Sequence, residues 1–129
     1  MSVDGVKKPA LAAGACLAAL VAAISAALGA DAQRGQDVWF DNCFGCHALD
    51  ADRVGPRHKG VIGRRAGSVP GFDYSPALAA ANFVWTEELV RRWLAGPSAL
   101  VPGTKMGFSL GTEADRADVA AYLARESRP

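Results

Sequence analysis

The chain has 129 residues, with 14 Lys and Arg against 13 Asp and Glu, for a formal net charge of +1. The length fits one domain, and so even a balance carries no electrostatic footprint for nucleic acid. With three cysteines and two histidines in all, any metal or redox chemistry rests on very few side chains.

The beginning of the chain differs from the rest. Lys7 and Lys8 form a positive segment, and Pro9 to Ala30 is uncharged and mostly Ala, Leu and Val. Ala30-Asp31-Ala32 offers an A-x-A cleavage site that leaves Gln33 as the new first residue. Residues 1–32 therefore read as an export signal and residues 33–129 as the working domain. The rival is an uncleaved anchor, because the apolar run is long enough to span a bilayer. Alanine-rich segments insert weakly, however, and so short a tether would pin the domain against the lipid. Cys16 lies inside this segment. The Ala13-Gly14-Ala15 before it lacks the large aliphatic residue of a lipoprotein site. With the signal removed, Cys43 and Cys46 are the remaining thiols, and no disulfide framework is possible.

The first helix is predicted from about Arg34 to Cys43. Gly35, Val38, Trp39 and Cys43 recur on one side, with Asp37 and Asp41 on the other. A glycine inside a helix costs about 1 kcal/mol relative to alanine. Gly35 marks either a fraying end or a close helix crossing that a Cβ would block.

Cys43-Phe44-Gly45-Cys46-His47 follows, reading C-x-x-C-H, the attachment signature for a c-type haem. Two thiols on one helical turn can add across the two vinyl groups of the porphyrin. The adjacent histidine is then held beneath the iron as an axial ligand. A thioredoxin-like redox pair needs a preceding strand in a βαβ unit, and no such pattern is present. A zinc site needs more ligands than Cys16 and His58 can add. The domain over 33–129 is marginal by its own core alone. A covalently held, largely apolar porphyrin would supply much of the missing buried surface.

From Ala48 to Tyr74 the chain reads as a loop, punctuated by Gly55-Pro56, Gly60, Gly63, Gly67 and Pro70-Gly71. A loop of that length is usually functional, and here it suits wrapping a cofactor. Ser75-Pro76 opens a short helix, Ser as cap and Pro at the first position. Thr86 starts a clearer one. Glu87 and Glu88 suit the positive end of its dipole, and Arg91 and Arg92 the negative end. Its apolar face is Leu89, Val90, Trp93 and Leu94, and Gly96-Pro97 stops it. A second loop over 98–111 contains Pro102 and Met106. Thr112-Glu113-Ala114-Asp115 then caps the last helix, whose apolar face is Val119, Ala120, Tyr122 and Leu123 and which ends near Arg125. No strand pattern and no internal repeat is evident.

A second axial ligand has two candidates. Met106 is the only methionine besides the initiator. It closes the loop run Val101-Pro102-Gly103-Thr104-Lys105-Met106. His58 is close in sequence to His47, on the same side of the ring, and reads as a partly exposed structural residue. His/Met ligation raises the potential of a haem iron and leaves no position open for a substrate.

From Gly35 to Leu123 the chain resembles the class I c-type cytochromes, which include mitochondrial cytochrome c and its soluble bacterial relatives. The resemblance rests on C-F-G-C-H, Gly55-Pro56, Gly63-Arg64-Arg65, Pro70-Gly71-Phe72-Asp73-Tyr74-Ser75, Trp85 and P-G-T-K-M. The ending from Arg116 to Leu123 belongs to the same pattern. It implies a small all-α cytochrome c fold, three main helices plus a short one wrapped around one covalent haem c, with long Gly/Pro-rich loops. It implies Cys43 and Cys46 as attachment sites and His47 and Met106 as axial ligands. The carbonyl of Pro56 would accept a hydrogen bond from His47. Arg64, Tyr74 and Trp85 would meet the propionates, with Thr104 nearby. Gly35 and Trp39 would cross the last helix at Val119 and Tyr122.

The implied activity is one-electron transfer between redox protein partners, a donor and an acceptor in membrane complexes, by a periplasmic monomer that is not an enzyme. The electron would leave through the haem edge near Cys43 and Cys46. The alternatives are an electron-delivering subunit of a dehydrogenase or oxidase, and a ligand-binding haem sensor, against which the Met106 loop speaks. Several positions depart from the pattern. Trp93 stands where a tyrosine usually hydrogen-bonds near the methionine sulfur, and Leu78 where an asparagine orders water. His58 replaces a leucine. Asn42 and Asp37 replace lysines of the docking face, leaving Arg53 and Lys105 of its basic ring. Val101 and Phe108 are expected to flank the haem edge as an apolar patch.

Overall fold

The computed structural model describes residues 29–129. Most of the expected export segment lies outside the described residues. Among those described, no helix is long and apolar enough to cross a membrane.

Three longer helices and two short ones are present in this region: α1 (Ala32–Asn42), α2 (Pro76–Ala79), α3 (Glu87–Ala95), α4 (Pro97–Leu100) and α5 (Glu113–Arg125). The only extended pairing among the described residues is an isolated bridge between Arg65 and Val84. The caps read from sequence are in place. Ser75 accepts from the Leu78 N–H, Thr86 from that of Leu89 and Thr112 from that of Asp115. Each satisfies one of the amide donors that a helix leaves without an internal partner. Two features differ from expectation. The first helix begins two residues early, because the Asp31 carboxylate caps it by accepting from the N–H groups of Gln33 and Arg34. A further turn, α4, follows Gly96-Pro97, where a loop was expected. The fixed φ of Pro97 suits the first position of a new helix as well as the end of an old one.

α1 and α5 cross tightly. Gly35 faces the backbone of Asp118 and Val119, where an added Cβ would run into the Asp118 carbonyl oxygen. The glycine thus serves a close crossing and not a frayed end. Trp39 packs on Tyr122 with ring centroids 5.8 Å apart, and both are almost fully buried. The polar end of the crossing is held by Asp118, which accepts the Asp31 N–H at 2.7 Å and pairs with Arg34. α3 packs on α5 through Val90, Trp93 and Leu94, which meet Val119, Ala120 and Leu123 in one cluster. The loops of 48–74 and 101–111 close the opposite side, and the cavity between them and the helices is the site.

Candidate functional site

The C-x-x-C-H segment continues the first helix by one turn. The Cys46 and His47 N–H groups both donate to the Cys43 carbonyl, at 3.1 and 2.9 Å. Cys43 is buried and Cys46 exposed. Burial, with a smaller effect from Cys46 nearby, pushes the Cys43 thiol up to about 12. The pair ends a helix in a region whose only extended pairing is the Arg65–Val84 bridge, so the βαβ setting of a thioredoxin-like pair is absent among the described residues. Among the described residues no group of three or more His, Cys, Asp or Glu could hold a metal ion, so the zinc reading gains no support.

His47 Nδ1 lies 2.8 Å from the Pro56 carbonyl oxygen. A carbonyl only accepts, so Nδ1 carries the proton and Nε2 keeps its lone pair for a metal. Burial lowers the His47 pKa, with the Pro56 bond opposing it, and both the low pKa and the bond suit a neutral ligand. Gly55 lies so close that a Cβ there would strike the imidazole. The Gly-Pro pair therefore both admits and orients the ring.

All nine residues expected at the site line one cavity of about 380 Å³. Cys43, Cys46, His47 and Pro56 come from one side. Thr104 and Met106 come from the loop after α4, Arg64 and Tyr74 from the long loop, and Trp85 from the segment between α2 and α3. The walls include Leu78, Trp93 and Leu94, so the cavity is apolar where a porphyrin face would lie. Its polar groups suit propionates. The Arg64 guanidinium donates to the carbonyls of Arg57 and Lys59, and burial lowers its pKa. An anion beside it would relieve that cost. The Tyr74 hydroxyl accepts from the Val69 N–H at 3.1 Å, which leaves its own proton to donate. Trp85 is buried in the wall of this cavity. These features, with two thiols beside a prepared imidazole, fit a covalently held haem.

Three findings go beyond the sequence reading. The Trp93 indole N–H donates to the Met106 sulfur at 3.2 Å, so the polar contact expected to be lost with tyrosine is present. His58 is half-buried, in line with a partly exposed structural residue. It stacks on His47 with ring centroids 4.0 Å apart, and burial, with His47 and Arg64 nearby, pushes its pKa well below the ordinary value. Val101 does not flank the site, being 7% exposed and part of the core, whereas Phe108 is 42% exposed. The closing turn of α4, Val101 N–H to the Pro97 carbonyl, accompanies this inward placement. The proline-to-valine spacing held a signal for that turn, and Trp93 was legible as a donor; the His58 stack depends on loop closure.

The profile of the cytochrome c family matches residues 32–126. Cytochrome c2 of Rhodopseudomonas palustris is 42% identical over 111 residues, covering 73% of this chain and 96% of that protein. Cytochrome c type-1 of Ascaris suum is 42% identical over 101 residues, covering 76% of this chain and 90% of its own length. The solved structure of cytochrome cH from Methylobacterium extorquens superposes with a TM-score of 0.69 at 35% identity, covering 74% of this chain and 98% of that one. Sequence, fold and cavity agree, and the chain belongs to the cytochrome c family: it is an all-α electron-transfer protein, not an enzyme, with one haem c held covalently through Cys43 and Cys46.

Proposed function

We propose that residues 1–32 direct export and that residues 33–129 work in the periplasm as a monomeric one-electron carrier with His47 and Met106 as axial ligands. The observation that carries this reading is the placement of a tautomer-fixed His47 and the Met106 sulfur on one cavity that also holds both thiols. The haem supplies the one-electron couple. Pro56 holds the Nδ1 proton of His47 and strengthens Nε2 as a donor. Arg64, Tyr74 and Trp85, with Thr104 nearby, hold the propionate charge. The apolar walls at Leu78 and Leu94 keep water out, and with two protein ligands no position is left for a substrate. Cys46 is exposed, so the edge of a haem held there would be open to redox protein partners, a donor and an acceptor in membrane complexes. The similarity to proteins named cytochrome c2 and cytochrome cH supports a small bacterial carrier.

The visible spectrum tests the reading. The oxidised protein is expected to show the weak red band of sulfur-ligated ferric haem, and Met106→Ala to abolish it. A bis-histidine or five-coordinate spectrum in the wild type would overturn it.

A further inference from the structure

We propose that His58 is a positioning residue for the proximal ligand, fixing the plane of the His47 imidazole by stacking on it from a seat set by Trp39. The inference rests on His47 being an axial ligand, as read above.

The two imidazoles are stacked, with centroids 4.0 Å apart and planes 24° from parallel. The Trp39 indole N–H donates to His58 Nδ1 at 2.9 Å. An indole nitrogen can only donate, so Nδ1 of His58 holds a lone pair and the proton of the neutral ring sits on Nε2. That hydrogen bond sets the tautomer of His58 and holds its Nδ1 edge toward Trp39. The backbone is held as well, with the His58 N–H donating to the Ala48 carbonyl at 2.9 Å, just past His47 itself. Trp39 cannot drift, being 2% exposed and wedged against Tyr122 at the helix crossing.

The Pro56 carbonyl alone does not determine the plane of His47. A single hydrogen bond at Nδ1 leaves the ring free to rock about the line from Nδ1 to the metal. A flat ring stacked on its face removes that freedom, because rotation would open a gap on one side and a clash on the other. A leucine fills comparable space but presents no flat face and accepts nothing from Trp39. Histidine at this position thus adds a constraint that an aliphatic side chain lacks, and it couples the ligand plane to the α1–α5 crossing through Trp39.

The imidazole plane and the lone-pair direction of the methionine together set which pair of pyrroles carries most of the unpaired spin in ferric haem. With the methionine kept, the hyperfine-shifted haem-methyl resonances respond to a turn of the imidazole. The experiment compares the NMR spectra of the oxidised holoprotein for wild type, His58→Leu and Trp39→Phe, after the red band has shown in each that the methionine ligand is kept. His58→Leu is expected to change the spread or order of the four methyl resonances. Trp39→Phe, which keeps an aromatic body but loses the donor, is expected to change them in the same sense by less. If His58→Leu fails to load haem, the Trp39→Phe spectrum decides. A methyl pattern identical to wild type, with only the melting temperature lowered, assigns His58 a purely structural role and overturns the proposal. A wild-type protein without a histidine-ligated ferric spectrum overturns the ligation reading, and the inference with it.

Discussion

The indole nitrogen of Trp93 lies 3.2 Å from the sulfur of Met106. Trp93 is on α3, Met106 on the loop after α4, and the contact ties a core helix to the loop expected to carry the second ligand. A hydrogen bond draws electron density from the sulfur and weakens it as a donor to ferric iron. Trp93→Phe keeps the ring and removes the N–H. The reduction potential is then expected to fall by about 20–40 mV, from a net bond of about 1 kcal/mol acting mainly on one oxidation state, at 59 mV per tenfold. Leu78→Asn is expected to shift the potential while the red band persists, because it puts a polar group on an apolar wall. Voltammetry of both variants checks this, and an unmoved potential in both makes the two positions silent.

Gly35 offers a separate test of the scaffold. An added methyl at this position meets backbone atoms of Asp118, which cannot rotate away. Gly35→Ala gains about 1 kcal/mol of helix propensity but forces α1 and α5 apart, and overpacking of this kind costs about 1–3 kcal/mol or more. A net loss of stability is expected, read as a lower melting temperature by far-UV dichroism. Gly111→Ala, where a Cβ meets nothing within 4 Å, is the control. A Gly35 variant as stable as that control would mean that the crossing has slack.

How much of this was legible in the sequence depends on how local each feature is. The attachment segment spans five residues and one turn, so its geometry follows from its spacing. The roles of Pro56, Arg64, Tyr74 and Trp85 came only from the family resemblance, because loop closure brings them to the cavity. His58 shows the limit most plainly. Its closeness to His47 in sequence put it on the correct side, but its stack and its bond to Trp39 depend on how the chain between them turns. Asp31 was obscured for a different reason, since Ala30-Asp31-Ala32 satisfies a cleavage pattern and a capping pattern at once. Val101 was misplaced because a four-residue helix leaves almost no periodicity to read.

That double reading of Asp31 leads to a measurable consequence. Cleavage after Ala32 would remove a carboxylate that caps two N–H groups and a backbone donor to Asp118. Mass spectrometry of the native protein is expected to give a chain starting near Gln33 plus one haem. A holoprotein that retains Asp31 and Ala32 is then expected to be more stable than the processed form by about 1 kcal/mol, the usual worth of an N-cap. Equal melting temperatures would show that the new terminus replaces the cap.

The docking face carries the last expectation. Lysines ringing a haem edge speed association with acidic partners and make it salt-sensitive, because charge complementarity acts mainly on the encounter rate. Of that ring the resemblance leaves Arg53 and Lys105, and both are engaged. The Arg53 guanidinium lies 5.1 Å from the centre of the Phe44 ring and donates to the Phe44 carbonyl at 2.8 Å, while Lys105 pairs with Asp73 at 3.2 Å. Arg91 is likewise held by Glu88 and Glu113. Large apolar side chains are exposed as well: Val54 at 80% and Phe108 at 42% on the cavity lining, Phe44 at 43% and Phe40 at 54%. Phe40 and Phe44 stack at 4.7 Å, and Phe44 stands between the two attachment cysteines. Such a face docks by burying aromatic surface, and its association rate should lie in the unsteered range of about 10⁵–10⁷ M⁻¹s⁻¹. Between about 0.01 and 0.15 M salt, where the screening length shrinks from about 30 to 8 Å, the rate with its own partner is expected to fall less than about threefold. Phe44→Ala should slow electron transfer at every ionic strength, since it removes contact area and not charge. Stopped-flow rates across the salt series check both statements, and a steep decline with salt would mean that Arg53, Lys105 and the other arginines rebuild a positive ring.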